Sequence, residues 1–181
     1  MERLAETVIF PPGPGDAAGL ARVHVQSWRE TYPGLLPGAY LAAMDARIHA
    51  RRWRLQLTRA CPEELVLAAE GPGGLIGYCA GAFSTGEASG GRAELFTLYL
   101  VRSAQRMGLG RRLLISAARV FSARGARRLG LWVLNENTRA RGFYEHLGAC
   151  AGPERPVSGW GGGLRETAYV WEHIATLARG H

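Results

Sequence analysis

Apolar residues recur along the chain with two different periods, and the points where the period changes mark the predicted elements. Val8-Ile-Phe forms a short strand that ends at Pro11-Pro-Gly-Pro-Gly. Asp16 then stands where it can cap a helix whose Leu20, Val23, Val25 and Trp28 follow helical spacing, and Pro33-Gly34 stops it. The pattern predicts a second helix over Ala39 to Arg59, with Tyr40, Leu41, Met44, Ile48, Trp53 and Leu55 among its core-facing positions. Strands follow at Leu65 to Ala69 and Leu75 to Phe83, separated by the hairpin chemistry of Glu70-Gly-Pro-Gly-Gly. A loose polar stretch from Gly86 to Gly91 leads into a strong strand, Ala93 to Val101. A helix from about Gly108 to Arg124 comes next, ended by Gly125. A strand at Leu129 to Leu134, a helix at Thr138 to Leu147, and two strands at Ala149 to Arg155 and Glu166 to Trp171 close the order. A strand, helix and strand within one sheet imply a right-handed parallel crossover in an otherwise antiparallel sheet.

With 181 residues, 47% of them hydrophobic and 20% charged, the chain is expected to form one globular domain, with 173–181 as a short tail. Cys61, Cys79 and Cys150 are odd in number and lack CxxC spacing, which supports neither a disulfide framework nor a zinc site. The histidines show no metal-like spacing either, so no metal is expected. Acids at the N-terminus and charges within every apolar stretch predict neither a secretory leader nor a membrane span, and a reducing cytoplasm is the expected setting.

Charge changes the picture once it is divided along the chain. All 22 basic residues are arginine, and 11 of them fall between Arg92 and Arg141 against only Glu94 and Glu136. Clustered guanidinium groups favour phosphate-bearing partners, either a nucleotide cofactor or a nucleic acid, and a merely solvated arginine face gives the same count.

The sharpest local signal lies inside that segment, where the strand ending at Leu98-Tyr-Leu-Val turns through Gln105-Arg-Met-Gly-Leu-Gly-Arg111 into a helix. N–H groups at a helix start lack carbonyl partners and the helix dipole adds positive potential, so such a turn attracts anions. Gly108 and Gly110 would let a diphosphate approach the main chain with no Cβ in the way. No GxxxxGK[ST] exists, and no GxGxxG follows this strand, which sets aside the P-loop and dinucleotide folds.

Three stretches together resemble the GNAT superfamily of N-acetyltransferases. Gln105 to Gly110 fits that family's Q/R-x-x-G-x-G/A motif; Asn137, Ala140, Phe143 and Tyr144 resemble its N-x-x-A-x-x-F-Y segment; His24 to Pro37, with Trp28 and Tyr32, is similar to the acceptor-side helix of one bacterial branch. Arg106-Met107 and Gly148-Ala149 depart from the commoner Gly-basic and Gly-Phe pairs. The resemblance implies an α/β fold with a mixed, mostly antiparallel sheet of about seven strands, a splayed parallel central pair and flanking helices. It also implies acetyl-CoA as co-substrate and an amine as acceptor, either a small molecule or a peptide. The main chain of Leu98, Tyr99 and Leu100 would pair with the pantetheine arm, and Gln105, Arg106, Met107, Gly108, Leu109, Gly110 and Arg111 would hold the diphosphate. Asn137 and Ala140 would contact the cofactor, and a homodimer through the final strands is compatible with the family.

Amine attack on a thioester requires a proton acceptor and favours a donor to the leaving thiolate. Glu94, four residues before Leu98 and on the same strand face, is the candidate base; Tyr144, which the resemblance implies is a cofactor-binding residue facing the sulfur, is the candidate acid. Trp28 and Tyr32, four apart on one helical face, are candidate walls for the acceptor, and His24 on that face is a candidate proton relay. The alternatives are a basic nucleic-acid-binding module and a catalytically silent acyl-CoA sensor. The first is disfavoured because most aromatics sit at core-like positions.

Overall fold

The computed structural model describes residues 7–59, 61–83, 92–157 and 163–180. Among them are strands β1 (Val8–Phe10), β2 (Glu64–Gly71), β3 (Gly74–Phe83), β4 (Arg92–Leu100), β5 (Arg128–Leu134), β6 (Cys150–Pro156) and β7 (Arg165–Trp171). The helices are α1 (Ala17–Thr31), α2 (Gly38–Ala43), α3 (Ala46–Arg59), α4 (Leu109–Ala123), α5 (Thr138–His146) and α6 (Ile174–Arg179). The strands form one sheet in the order β1-β2-β3-β4-β5-β7-β6, with β4 and β5 parallel and β5-β7 and β7-β6 antiparallel. The mixed sheet and its parallel central pair match the expected fold class. The expected polar connection at 86–91 lies outside the described residues.

The chain gathers into two compact units, Met1–Ala80 with Thr97–Leu114, and Gly81–Phe96 with Ile115–His181; β3, β4 and α4 contribute to both. In the first unit, α1 buries Leu20, Val23 and Val25, the apolar stripe its spacing predicts, while Trp28 is half-buried. Asp16 does not cap α1 with its side chain. Its Oδ2 accepts from Gly13 N at 2.9 Å and closes the 3₁₀ turn Pro14–Asp16 instead.

The predicted helix from Ala39 to Arg59 is two helices, and Arg29 of α1 supplies the reason. Its guanidinium donates to Leu41 O (3.0 Å), Ala42 O (3.2 Å) and Met44 O (2.9 Å), the carbonyls at the end of α2 that a continuing helix would need for its own ladder. Met44 turns extended (φ −60°, ψ 121°), and Asp45 starts α3 by accepting Arg47 N on Oδ1 at 2.8 Å. The break resets the helical phase. Leu41 and Met44 are buried, whereas Tyr40, Ile48 and Leu55 are 43%, 50% and 60% exposed rather than core-facing.

In the second unit, α4 buries Ile115, Ala117, Ala118 and Phe121 and ends at Gly125 (φ +93°), with Ala126 N donating to Phe121 O at 2.9 Å. The β4–β5 register runs from Arg92↔Arg128 to Glu94↔Gly130 and stops, so Leu95 and Phe96 have no partner on β5; this is the splay expected of the central pair. Gly81 of β3 permits close approach to β4, because a Cβ there would run into Glu94 O. No element was expected after Trp171, but Ile174 and Leu177 of α6 are buried, and Arg119 Nε holds its end through Ala178 O at 2.9 Å. All seven residues of edge strand β6 are exposed.

Candidate functional site

The strand-to-helix turn leaves β4 through a tightly hydrogen-bonded bend. β4 ends with Val101 N donating to Ile76 O at 3.0 Å, and a 3₁₀ turn at Arg102–Ala104 redirects the chain. Arg102 anchors it to α1: its N–H donates to Glu30 Oε2 (2.6 Å) and its Nη2 to Glu30 O (2.7 Å). Gln105 folds back so that Nε2 donates to Leu100 O at 3.0 Å, a strut across the turn. Arg106 (φ +64°) and Gly108 (φ +79°) both lie in the left-handed region, and at Arg106 a non-glycine residue bears that strain. A Cβ at Gly108 would meet nothing within 4 Å, so the main chain there faces open space. Helix α4 starts at Leu109, one residue later than predicted, with Arg112 N donating to Gly108 O at 3.0 Å, and the Leu109 and Gly110 amides precede that first helical bond. Leu98, Tyr99, Leu100 and Met107 are half-buried, Arg106 is exposed, and Arg111 is half-buried.

Beside this turn in the same unit stands a cluster of rings. Trp28 and Tyr32 lie edge to face at 5.1 Å between centroids, as their spacing on α1 implies. His24 stacks on Trp28 at 5.1 Å, and its Nδ1 is 2.7 Å from the Tyr78 hydroxyl. Tyr99 of β4 meets His24, Trp28 and Tyr78 at 5.6, 6.2 and 5.8 Å. Helix α3 adds His49, 4.5 Å from His24, and Trp53, 5.2 Å from Tyr78. Sequence reasoning found His24, Trp28 and Tyr32 but missed Tyr40, His49, Trp53, Tyr78 and the side chain of Tyr99. A signal was present for α3: His49 and Trp53 repeat the four-residue His-to-Trp spacing of His24 and Trp28, which puts each pair on one helical face.

Burial keeps the cluster neutral. It lowers His24 to about 4, with His49 adding to the effect, and it lowers His49, with Arg52 adding. It raises the Tyr78 and Tyr99 phenols, and Tyr32 despite a hydrogen bond with Tyr99. Cys79, buried on β3, is pushed up to about 12 and stays a thiol.

In the second unit, Glu94 is half-buried on β4 at the last paired position before the register ends. Asn137 caps α5, its Oδ1 accepting from Ala140 N at 3.2 Å, so the Ala140 N–H is already engaged and Asn137 keeps its amide NH₂ as donor. Tyr144 is 8% exposed, with its ring 5.1 Å from Phe143, 6.3 Å from Tyr169 and 6.0 Å from Trp171. A network unforeseen in the sequence holds α5 on β7: Tyr169 OH donates to Glu145 Oε1 (2.6 Å) and accepts from Arg141 Nε (3.0 Å). Arg128 pairs with Glu172 at 2.7 Å and Arg112 donates to Thr7 O at 2.9 Å, so several arginines of the 92–141 segment serve the protein's own acceptors.

The sequence model of the acetyltransferase (GNAT) family matches residues 24–149, a span that holds the second half of α1, the turn and α5. The chain belongs to the acetyltransferase (GNAT) family. Among GNAT relatives, it is 26% identical over 162 residues to the uncharacterized N-acetyltransferase YuaI of Bacillus subtilis (strain 168), covering 90% of this chain and 91% of that one. The fold is similar to that of the PaiA N-acetyltransferase from Thermoplasma acidophilum in complex with coenzyme A, with a TM-score of 0.71 at 22% identity over 90% of this chain and 97% of the other. It is also similar to an acetyltransferase from Salmonella typhimurium solved with its cofactor acetyl-CoA, with a TM-score of 0.69 at 17% identity over 93% and 94%. In this GNAT chain the stretches that carried the family resemblance are the turn at Gln105 to Gly110, the Asn137-capped α5, and His24 to Pro37, which begins within α1.

Proposed function

We propose that this GNAT protein moves the acetyl group of acetyl-CoA to an amine by direct attack in a ternary complex. The observation that carries the reading is the turn at Arg106 to Gly110, where left-handed backbone, an open Gly108 and the start of a 15-residue helix offer N–H groups to an anion. The structural relatives solved with coenzyme A and acetyl-CoA support that ligand. The Met107, Gly108, Leu109, Gly110 and Arg111 amides and the Arg106 guanidinium would hold the diphosphate. The main chain of Leu98, Tyr99 and Leu100 would pair with the pantetheine arm, Asn137 would donate its amide, and Ala140 would contribute van der Waals contact.

Acetyl-CoA, when bound, supplies an activated thioester carbonyl. Glu94 accepts the proton that the attacking amine must lose, and the Tyr144 hydroxyl donates to the departing sulfur. Trp28 and Tyr32 hold the acceptor. The buried, protonated Cys79 supports direct attack over a covalent acetyl-cysteine route. The arginines committed to internal acceptors weigh against a nucleic-acid module. The expected setting is the reducing cytoplasm, where Cys61 and Cys150 remain thiols, and among the described residues no helix is long and apolar enough to cross a membrane. A homodimer through the closing strands would use the exposed edge β6, where Pro153 and Pro156 withhold two N–H groups.

Initial rates with acetyl-CoA and amine varied together test the kinetic order. Intersecting double-reciprocal lines are the expected result; parallel lines, the mark of a ping-pong route, would overturn direct attack.

A further inference from the structure

The ring cluster of the first unit grades from a wet edge to a dry floor. Tyr40 on α2 is exposed, Trp28 and Tyr32 are half-buried, and Tyr78 is fully buried, with Trp28 6.3 Å from Tyr40 and 6.2 Å from Tyr99. A cluster that only filled a core would be buried throughout. Here Tyr40 is exposed and Trp28, Tyr32 and Tyr99 remain partly open to solvent, and the cluster adjoins the segment of β4 assigned above to the pantetheine arm, because Tyr99 belongs to both.

The charges around the rings narrow the kind of amine that fits there. The two carboxylates nearest in the chain are engaged: Glu30 accepts from Arg102 N and from Gln26 Nε2 (3.0 Å), and Asp45 pairs with Arg47 at 3.2 Å. The histidines of the cluster are neutral, and α3 carries Arg47, Arg51, Arg52, Arg54 and Arg59 on its exposed side. A polyamine or an aminoglycoside brings several ammonium groups, each of which needs a carboxylate or carbonyl when it leaves water. Among the described residues of this cluster each of these carboxylates already holds one or two donors, and the α3 arginines other than the paired Arg47 add positive potential that disfavours each further ammonium. Ring faces, by contrast, accept one ammonium and one flat apolar body.

The geometry points to an acceptor that carries a single ammonium on an aromatic body, seated against the solvent-facing edge that Trp28, Tyr32 and Tyr40 form together, as an arylalkylamine or an aromatic amino acid would be. This inference rests on the acetyl-transfer reading and narrows it to one acceptor class.

The test measures kcat/KM by release of free CoA thiol, using the full chain and acetyl-CoA with 2-phenylethylamine, L-phenylalanine, spermidine and kanamycin. At least one aromatic amine is expected to exceed both polycations by about tenfold or more, and Trp28→Ala to raise its KM by a similar factor while the acetyl-CoA Kd stays within about twofold. Tyr40→Ala, on the exposed edge where folding is not at stake, is expected to raise the same KM by about threefold. Spermidine or kanamycin as the better substrate overturns the inference and leaves acetyl transfer standing, as does an aromatic-amine KM unmoved by both substitutions. Failure of acetyl-CoA to bind in calorimetry overturns the acetyl-transfer reading, and this inference with it.

Discussion

Replacing His24 tests how the ring cluster handles charge. In the fold this imidazole sits at about 4 against 6.5 for the ordinary side chain, because burial disfavours the imidazolium and His49 faces it from α3. The other groups against it are the Tyr78 and Tyr99 phenols, which burial keeps protonated and neutral, with Arg52 adjoining His49. A folded-state value below the unfolded one means that the unfolded chain binds the extra proton first. Stability is therefore complete above about pH 6.5 and is lost as the pH falls toward 4. At 1.36 kcal/mol per pH unit the full span amounts to about 3 kcal/mol, of which about 2 kcal/mol lies between pH 6.5 and 5; partial solvent access to His24 brings the latter to about 1 to 2 kcal/mol. His24→Gln removes the titration and keeps a hydrogen-bonding group toward Tyr78. Urea unfolding followed by tryptophan fluorescence, at pH 7.5 and at pH 5, gives the difference for each protein. The parent is expected to lose about 1 to 2 kcal/mol more than His24→Gln on acidification. Losses that agree within about 0.3 kcal/mol would refute the reasoning, since His24 would then titrate alike in both states.

Three further substitutions separate chemistry from packing. Glu94→Gln is expected to lower kcat/KM by about 10² to 10⁴-fold, most at low pH where free amine is scarce, with the acetyl-CoA Kd unchanged in calorimetry; a full-rate variant removes the base role. Tyr144→Phe deletes one oxygen and is expected to lower kcat and kcat/KM together by about 10 to 30-fold, about 1.4 to 2 kcal/mol of barrier, in steady-state assays. An intact kcat with a shifted Tm would make Tyr144 a packing residue only. Gly81→Ala drives a methyl into Glu94 O across two paired strands and is expected to destabilise by about 1 to 3 kcal/mol in urea unfolding; an unchanged midpoint would show that the strands can part freely.

Much of the fold is legible in the residue pattern because local periodicity and turn chemistry agree with the tertiary arrangement in β3, β4, α4, β5, α5 and β7. The break between α2 and α3 was not legible, because its cause is a guanidinium from α1 that no window around Met44 contains. Helix α6 escaped notice for a related reason: six residues carry little periodicity, and Ile174 and Leu177 are buried by the tertiary arrangement. At the site, the glycine turn announced itself because Gly108 needs its left-handed φ wherever the chain folds. The ring cluster did not, since Tyr78 and Tyr99 belong to different strands and α3 brings its own pair of rings. Asn137 was read as a cofactor ligand from resemblance alone; its Oδ1 caps α5, and the amide NH₂ is the group left for that role.

Acetyl transfer itself is tested most directly by following the acetyl group. The protein is incubated with acetyl-CoA carrying an isotopic label in the acetyl carbons and an amine acceptor, and mass spectrometry tracks the label alongside free CoA thiol. The account predicts labelled N-acetyl amine formed in step with CoA, an unlabelled protein, and loss of turnover in Gly108→Val through an acetyl-CoA Kd raised at least about tenfold, or about 1.4 kcal/mol. CoA release with label only in free acetate, stable label on the protein, or a folded Gly108→Val that binds acetyl-CoA within about threefold of the parent would contradict it.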